Sequence, residues 1–184
     1  MTTFGYILLF NSGYYFTMLR LDVKRYILIA VFFSTCLLPV LTISVMALGR
    51  GFNLRMEHHT QRIKPLLFTA IYYYLGFYLL KGLPVYPVFR IILITSVVVI
   101  VVMTVISFKW KISSHMAAIG GVAGSLLAIS FRMGMNPVWL LTGVFLTAGI
   151  VGSVRMYIGN HTLSQILAGF TLGLVILYLA VFYI

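Results

Sequence analysis

Residues 162–184 read TLSQILAGFTLGLVILYLAVFYI, a stretch of 23 residues that contains no charged side chain. An α-helix rises about 1.5 Å per residue, so this stretch is long enough to cross the ~30 Å hydrocarbon core of a bilayer. Backbone N–H and C=O groups cannot remain unpaired in lipid, and a helix pairs them within one segment. The stretch therefore predicts a membrane-spanning helix.

Five further uncharged runs precede this stretch, namely 26–49, 65–80, 91–108, 116–131 and 133–154. None of them shows the alternation of polar and apolar residues that is typical of a membrane β-barrel. The sequence therefore predicts an all-α fold, a polytopic transmembrane helical bundle with a six-helix core.

The N-terminal residues 1–19 are uncharged as well, but Asn11, Ser12 and Gly13 interrupt the run. Two alternatives stay open for this segment, a seventh span or a helix that lies along the membrane interface. We divide the chain into an N-terminal hydrophobic segment, 1–25, and a six-span membrane domain, 26–184.

The composition agrees with a membrane protein, since 62% of the residues are hydrophobic and 8% are charged. A mean hydropathy of +1.10 excludes an ordinary soluble domain and a disordered chain. The formal net charge of +11 comes from cations scattered over short loops, which favours lipid headgroups and phosphate ligands over nucleic acid. The single Cys36 excludes an internal disulfide.

Small residues are concentrated in the last three predicted spans, including Gly120, Gly124, Gly149, Gly169 and Gly173. Such residues allow helix backbones to approach each other closely in a membrane. We therefore expect the last three spans to form a tight bundle.

The predicted spans place the connecting segments alternately at two ends of the bundle. One end holds 50–64, 109–115 and 155–161, and these segments contain every histidine of the chain, namely His58, His59, His115 and His161. Basic residues are nearly balanced between the two ends, so the positive-inside rule alone leaves the orientation open. Assigning the cations near the histidines to a bound anion predicts that this end faces the extracytoplasmic side of the inner membrane.

Two segments at the histidine end combine the residue types that bind and transfer phosphate. Residues 109–115 read KWKISSH and residues 155–165 read RMYIGNHTLSQ, and each leads into a predicted helix. A helix N-terminus offers unpaired N–H groups and a partial positive charge to an anion. Arginine adds a planar pair of donors, and two histidines can serve as nucleophile and general acid.

These segments resemble the type 2 phosphatidic acid phosphatase (PAP2) superfamily of membrane phosphatases, whose signatures are K-x6-R-P, P-S-G-H and S-R-x5-H-x3-D. Arg155-x5-His161 matches the third signature, and Gln165 stands at the position of its aspartate. Residues 113–115 match the second signature, with Ile112 at the position of its proline.

The first signature is degenerate in this chain. Arg55 and Arg62 have its spacing, while the proline is displaced to Pro65. The resemblance covers residues 50–184, and the three signatures follow each other in the family's order.

The resemblance implies a phosphatase that needs no metal and no other cofactor. His161 would attack phosphorus to form a phosphohistidine, His115 would protonate the leaving oxygen, and residue 165 would orient the nucleophile. The phosphoryl oxygens would be held by Arg155, Arg62, Arg55, Lys64, Ser113 and Ser114. The partners would be membrane lipid and a phosphorylated lipid substrate, either a lipid phosphate or an isoprenoid diphosphate. The oligomeric state is not predicted.

Gln165 is the most consequential departure from the family pattern. Its amide oxygen can still accept the imidazole N–H, but it adds no negative charge. In the serine protease triad the corresponding Asp-to-Asn change costs about 10⁴ in rate, mainly through the wrong tautomer. Thr162 and Gln165 also have the spacing of a helix capping box, and Glu57 could replace the missing carboxylate.

Three alternative functions stay open. A catalytically degenerate relative would bind anionic lipid without turnover. A metal site would use the four histidines and Glu57, although no spacing such as H-E-x-x-H supports it. A transporter would need ionisable groups inside its spans, and no acidic residue lies within the predicted spans.

Overall fold

The computed structural model describes residues 2–11, 20–48, 63–82, 87–134, 136–159 and 161–183. These residues form helices and connecting segments, and no β-strand occurs among them. The helices, which we number in chain order, are α1 (Thr2–Asn11), α2 (Leu21–Leu48), α3 (Ile63–Lys81), α4 (Pro87–Ile106), α5 (Ser114–Met133), α6 (Val138–Tyr157) and α7 (Leu163–Phe182).

Six of these helices, α2 to α7, are long and apolar enough to cross a membrane. The shortest of them has 19 residues, which corresponds to about 28 Å along its axis. The predicted all-α polytopic bundle with six spans is therefore confirmed, and the protein is an integral membrane protein.

Helix α2 contains one π-helical turn at Phe33–Leu37, which ends two residues before Pro39. Proline has no N–H to donate, so the regular hydrogen-bond ladder is disturbed one turn before it. Ser34 in this turn donates its hydroxyl to the Ala30 carbonyl and lies beside Gly76 of α3, where any side chain would strike the Ser34 Oγ. The π-turn is therefore a point of close contact between α2 and α3.

Helices α5 and α7 run parallel and touch backbone to backbone. A Cβ on Gly173 would lie 1.9 Å from the carbonyl oxygen of Ala117, and one on Gly169 would lie 2.5 Å from that of Ser113. The same holds on the other helix, where a Cβ on Gly120 would lie 2.0 Å from the Phe170 carbonyl. Glycines spaced four residues apart therefore produce the closest helix pair of the bundle, as expected for small-xxx-small packing.

Helix α6 departs from the expected three-helix bundle. Its buried side is narrow and contains Val144, Ala148 and Gly152, whereas a Cβ added to Gly143 or Gly149 would meet no atom within 4 Å. The expectation of tight packing is thus met by α5 and α7 and is wrong for α6, because two of its glycines face away from the protein.

Helix α1 is about 15 Å long and covers half of a ~30 Å hydrocarbon core. It packs inside the bundle, with Tyr6, Leu9 and Phe10 buried. The Tyr6 hydroxyl donates to the backbone carbonyl of Phe89, and the Phe89 ring stacks on Tyr6 with 5.7 Å between centroids. The segment 12–19, which completes the N-terminal run, lies outside the described residues.

Candidate functional site

The start of α5 and the start of α7 lie together at one end of the bundle. The Ser113 N–H donates to the Gln165 carbonyl at 3.3 Å, which ties the segment before α5 to the first turn of α7. Gly169 allows this approach because it has no side chain facing the Ser113 carbonyl. As a result His115 and His161, separated by 46 positions, line one cavity.

His161 is held in place by the first turn of α7. The residue is 8% exposed, and its Nδ1 lies 3.1 Å from Oε1 of Gln165. The same Oε1 accepts the backbone N–H of Thr162 at 3.2 Å, which completes the predicted capping box. Gly159, at φ +72°, makes the turn that leads from α6 to this position.

The two bonds to Gln165 determine the tautomer of His161. A backbone N–H can only donate, so the atom that faces Thr162 is the amide oxygen rather than the amide nitrogen. An oxygen that faces Nδ1 of the ring must accept from it, so Nδ1 carries a proton. In the neutral ring the lone pair is therefore on Nε2. Gln165 thus performs the orienting and the capping role together, although it provides no charge.

His115 is paired with Arg155. The Arg155 Nη2 lies 2.9 Å from Nε2 of His115, and these residues come from helices α6 and α5. Arginine only donates, so Nε2 of His115 accepts this bond and the imidazole is neutral in this arrangement. Arg155 is half-buried and lines the same cavity as both histidines.

The cavity has a volume of about 920 Å³ and extends from the histidines into the middle of the bundle. Its polar end is lined by Lys111, Ser114, His115, Arg155 and His161. Its remaining wall comes mainly from α1, α3, α4 and α5 and is largely apolar, with side chains such as Leu9, Leu66, Val99, Ile100 and Met103.

The N-terminus of α5 opens onto the polar end of the cavity. Ser113 is the N-cap residue, but its side chain makes no capping bond to the first turn. Its hydroxyl is buried at 1% exposure and has no hydrogen-bond partner among the described residues. Ser114, one residue later, lines the cavity, whereas Ser113 is not among the lining residues. First-turn N–H groups without a side-chain cap are suited to an anion.

The remaining predicted site residues are distributed as follows. Lys64 is exposed at the start of α3 and is not part of the cavity wall, although Pro65 and Leu66 beside it are. Arg55 and Arg62 lie outside the described residues. The alternatives that use Glu57, His58 and His59 lie there too. Among the described residues no group of three or more potential metal ligands occurs.

Lys111 is a lining residue that the sequence pattern did not single out for the site. Lysines on either side of a tryptophan, as at 109–111, are typical of residues that anchor a helix end at the membrane interface, so the sequence favours anchoring over phosphate binding for Lys111. The one signal for it was that Lys111 precedes His115 by four residues in the same short connection.

Comparison of the chain with known protein families, curated proteins and solved structures finds no match.

Proposed function

We propose that this protein is a membrane phosphatase that hydrolyses a lipid phosphate or an isoprenoid diphosphate through a phosphohistidine at His161. The observation that carries the proposal is that two histidines line the same cavity. His161 has its Nδ1 proton held by Gln165, and His115 is bonded to Arg155. This arrangement supplies an oriented nucleophile, a proton carrier and a phosphate-binding cation within one site.

In the first step the Nε2 lone pair of His161 attacks phosphorus. The bond from phosphorus to the leaving oxygen breaks, and that oxygen takes a proton from His115. In the second step water attacks the phosphohistidine and gives a proton to His115, and the N–P bond breaks to release phosphate. The lipid alcohol or lipid monophosphate and inorganic phosphate are the products.

Arg155 has two successive partners in this mechanism. A protonated imidazole has no lone pair at Nε2, so His115 cannot be the acid while it accepts from Arg155. A phosphoryl group is a stronger partner for a guanidinium than a neutral imidazole is. Substrate binding would therefore draw Arg155 from His115 to phosphate, after which Nε2 of His115 can take up a proton.

The developing charge on the phosphoryl oxygens would be stabilised by donors at the polar end of the cavity. Arg155, Lys111 and the Ser114 hydroxyl line this end, and the N-terminus of α5 lies beside them. Donors that are already aimed at the position of developing charge typically contribute ~3 kcal/mol each to a transition state. Arg55, Arg62, Lys64 and Ser113 remain proposed phosphate ligands from the family resemblance.

The test is phosphate release by the purified protein in detergent. His161→Ala should abolish release from every substrate. His115→Ala should reduce phosphate release from a lipid phosphate strongly. With an aryl phosphate this variant should still form the aryl alcohol in a rapid first turnover, because an aryl oxide leaves without protonation, while phosphate release stays slow because hydrolysis of the phosphohistidine uses His115. Lys109→Ala, an exposed change at the same end, is the control and should leave the rates unchanged. Full activity of the His161→Ala variant would refute the proposal.

A second candidate, an anionic-lipid binder without turnover, is favoured by the uncharged Gln165 and by the closed Arg155–His115 pair. Both candidate functions require that the protein binds a lipid phosphate, and they differ only in whether it hydrolyses that ligand. Binding of hexadecyl phosphate without any phosphate release would therefore select the binder.

We further propose that the histidine end faces the extracytoplasmic side of the inner membrane. Lys109→Cys in a Cys36→Ala background provides one thiol at that end. In intact cells it should react with a maleimide that does not cross the membrane. Protection until the cells are lysed would place the site on the cytoplasmic side.

A further inference from the structure

The cavity extends for about 16 Å from the phosphate site into the bundle. Ser114 and Ser125 of α5 both line it and are separated by that distance along the helix axis. On α4 the lining residues Met103 and Ile92 are separated by the same distance. The cavity is therefore about half as deep as the ~30 Å hydrocarbon core.

The wall of this inner part accepts an apolar occupant. Its hydroxyl groups donate within the protein, as Ser96 does to the Ile92 carbonyl at 2.7 Å and Ser125 does to the Val122 carbonyl at 2.9 Å. Thr2 and Tyr73 bond each other through their hydroxyls at 2.6 Å. A hydrocarbon placed against them would strip no hydrogen bond, so the usual cost of burying a polar group does not arise.

Helix α1 forms the end of the cavity away from the histidines. Thr2, Tyr6 and Leu9 line it, and Leu9 is 1% exposed. Tyr6 is fixed by its hydroxyl bond to the Phe89 carbonyl in the first turn of α4, at the opposite end of the bundle from His161. This helix thus closes the path along which a chain would extend.

We propose that the hydrocarbon tail of the substrate lies in this cavity, inside the bundle, and that α1 sets the longest tail that the site accepts. The inference rests on the proposed function for the identity of the headgroup. A tail gains no hydrophobic free energy by moving from lipid to protein, because the bilayer interior is equally apolar. Discrimination between tails of different length must therefore come from how well each tail fits the cavity. A tail that is too long meets the α1 wall, and a short one leaves contacts unmade.

The experiment compares kcat/KM for octyl, dodecyl and hexadecyl phosphate in one detergent. Ser96→Leu fills the deep part of the cavity, and it should lower the hexadecyl-to-octyl ratio about tenfold, the effect of a mismatch of one or more methylenes. Ala118→Leu fills the part next to the phosphate site and should lower the dodecyl rate as well. Leu9→Ala enlarges the far end and should raise the hexadecyl-to-octyl ratio.

The matched control is Ser44→Leu, the same change on an exposed position of α2, which should leave all ratios as in the wild type. Leu9→Ala truncates a buried side chain and should lower the unfolding temperature. Each ratio compares substrates on the same variant, so a variant only has to remain folded at the assay temperature in detergent. Unchanged ratios in Ser96→Leu, Ala118→Leu and Leu9→Ala would overturn the inference and would place the tail in the bilayer.

Failure of the proposed function gives a different result, namely no phosphate release from any of the three substrates. In that case the inference is judged by binding, since a ligand that binds the native state raises its unfolding temperature. A dodecyl tail fits the depth of the cavity, whereas an octyl tail leaves contacts unmade, so dodecyl phosphate should then stabilise the wild type more than octyl phosphate does, and Ala118→Leu should remove the difference. Equal stabilisation by both ligands would overturn the inference.

Discussion

Replacing Gln165 by leucine removes the one acceptor that both Thr162 and His161 use. Two hydrogen bonds to Oε1, at 3.2 and 3.1 Å, are lost together. At about 1 kcal/mol each, their loss should destabilise the protein by about 2 kcal/mol. The larger effect is on rate, because the Nδ1 proton can then move to Nε2 and the lone pair is lost from the attacking nitrogen. The corresponding change in a serine protease triad costs on the order of 10⁴ in rate, and we expect a similar loss.

Gln165→Glu is the matched variant because it keeps both acceptor bonds and adds a charge. Hydrogen bonds to a charged acceptor are roughly twice as strong as neutral ones, which is about 1 kcal/mol or about fivefold in rate. A negative charge in the first turn of α7 also interacts favourably with the helix dipole. This variant should therefore retain the capping box and match or exceed the wild-type rate.

The assay is phosphate release from dodecyl phosphate together with thermal unfolding of each variant in the same detergent. The expected order of rates is Gln165→Glu at or above wild type, and Gln165→Leu far below both. The reasoning would be refuted if Gln165→Leu kept the wild-type rate, since His161 would then need no acceptor at Nδ1. An inactive but stable Gln165→Glu variant would also refute it.

Three further predictions concern packing, the anion site and metals. Gly173→Ala places a Cβ 1.9 Å from the Ala117 carbonyl oxygen, so α7 must shift by more than 1 Å; the free energy of unfolding should fall by about 3 kcal/mol and the rate of phosphate release about 100-fold. Gly149→Ala, whose Cβ would meet no atom within 4 Å, should change neither quantity. Arg155→Ala should raise KM for lipid phosphate and lower kcat, whereas Arg155→Lys should recover part of the binding but not the bidentate contact, as measured by initial rates. EDTA at millimolar concentration should leave phosphate release unchanged, and a loss restored by a divalent cation would contradict the metal-free mechanism.

The number and placement of the spanning helices follow from the absence of charge alone. The uncharged run 65–80 became Ile63–Lys81, and the run 133–154 became Val138–Tyr157. The second shift is larger because Pro137 lies within the run and starts the helix after the charge-free segment begins. Because a long apolar run in lipid must pair its backbone groups within one helix, the hydropathy of the sequence is enough to predict the order of the spanning helices.

The packing of the helices could be predicted less well from the sequence, because the positions of the glycines do not show whether each one faces another helix or the outside of the bundle. Gly173 meets a backbone and Gly149 faces outward, although both belong to small-residue clusters. The course of α1 inside the bundle depends on tertiary contacts of Tyr6 with Phe89, which no local pattern encodes. The depth of the cavity depends on the same contacts, so the sequence does not predict it either.

Part of the candidate site was readable from spacing. Gln165 follows His161 by one helical turn, and this spacing predicts the bond between them. The bond between Arg155 and His115 joins two different helices, so the sequence indicated only that both residues lie at one end. The phosphate-binding roles predicted for Ser113, Ser114 and Lys64 stay predictions, and the structure places Ser114 alone among them on the cavity wall.

The most direct test is to trap the phosphorylated protein and locate the phosphate. An aryl phosphate should be mixed with the His115→Ala variant, in which attack proceeds and hydrolysis of the intermediate is slowed, and the reaction should be stopped with base because phosphohistidine is labile in acid. Peptide mass spectrometry should then find one phosphate on His161 and none after His161→Ala. Phosphate on another residue, or turnover without any phosphorylated protein, would contradict nucleophilic attack by His161.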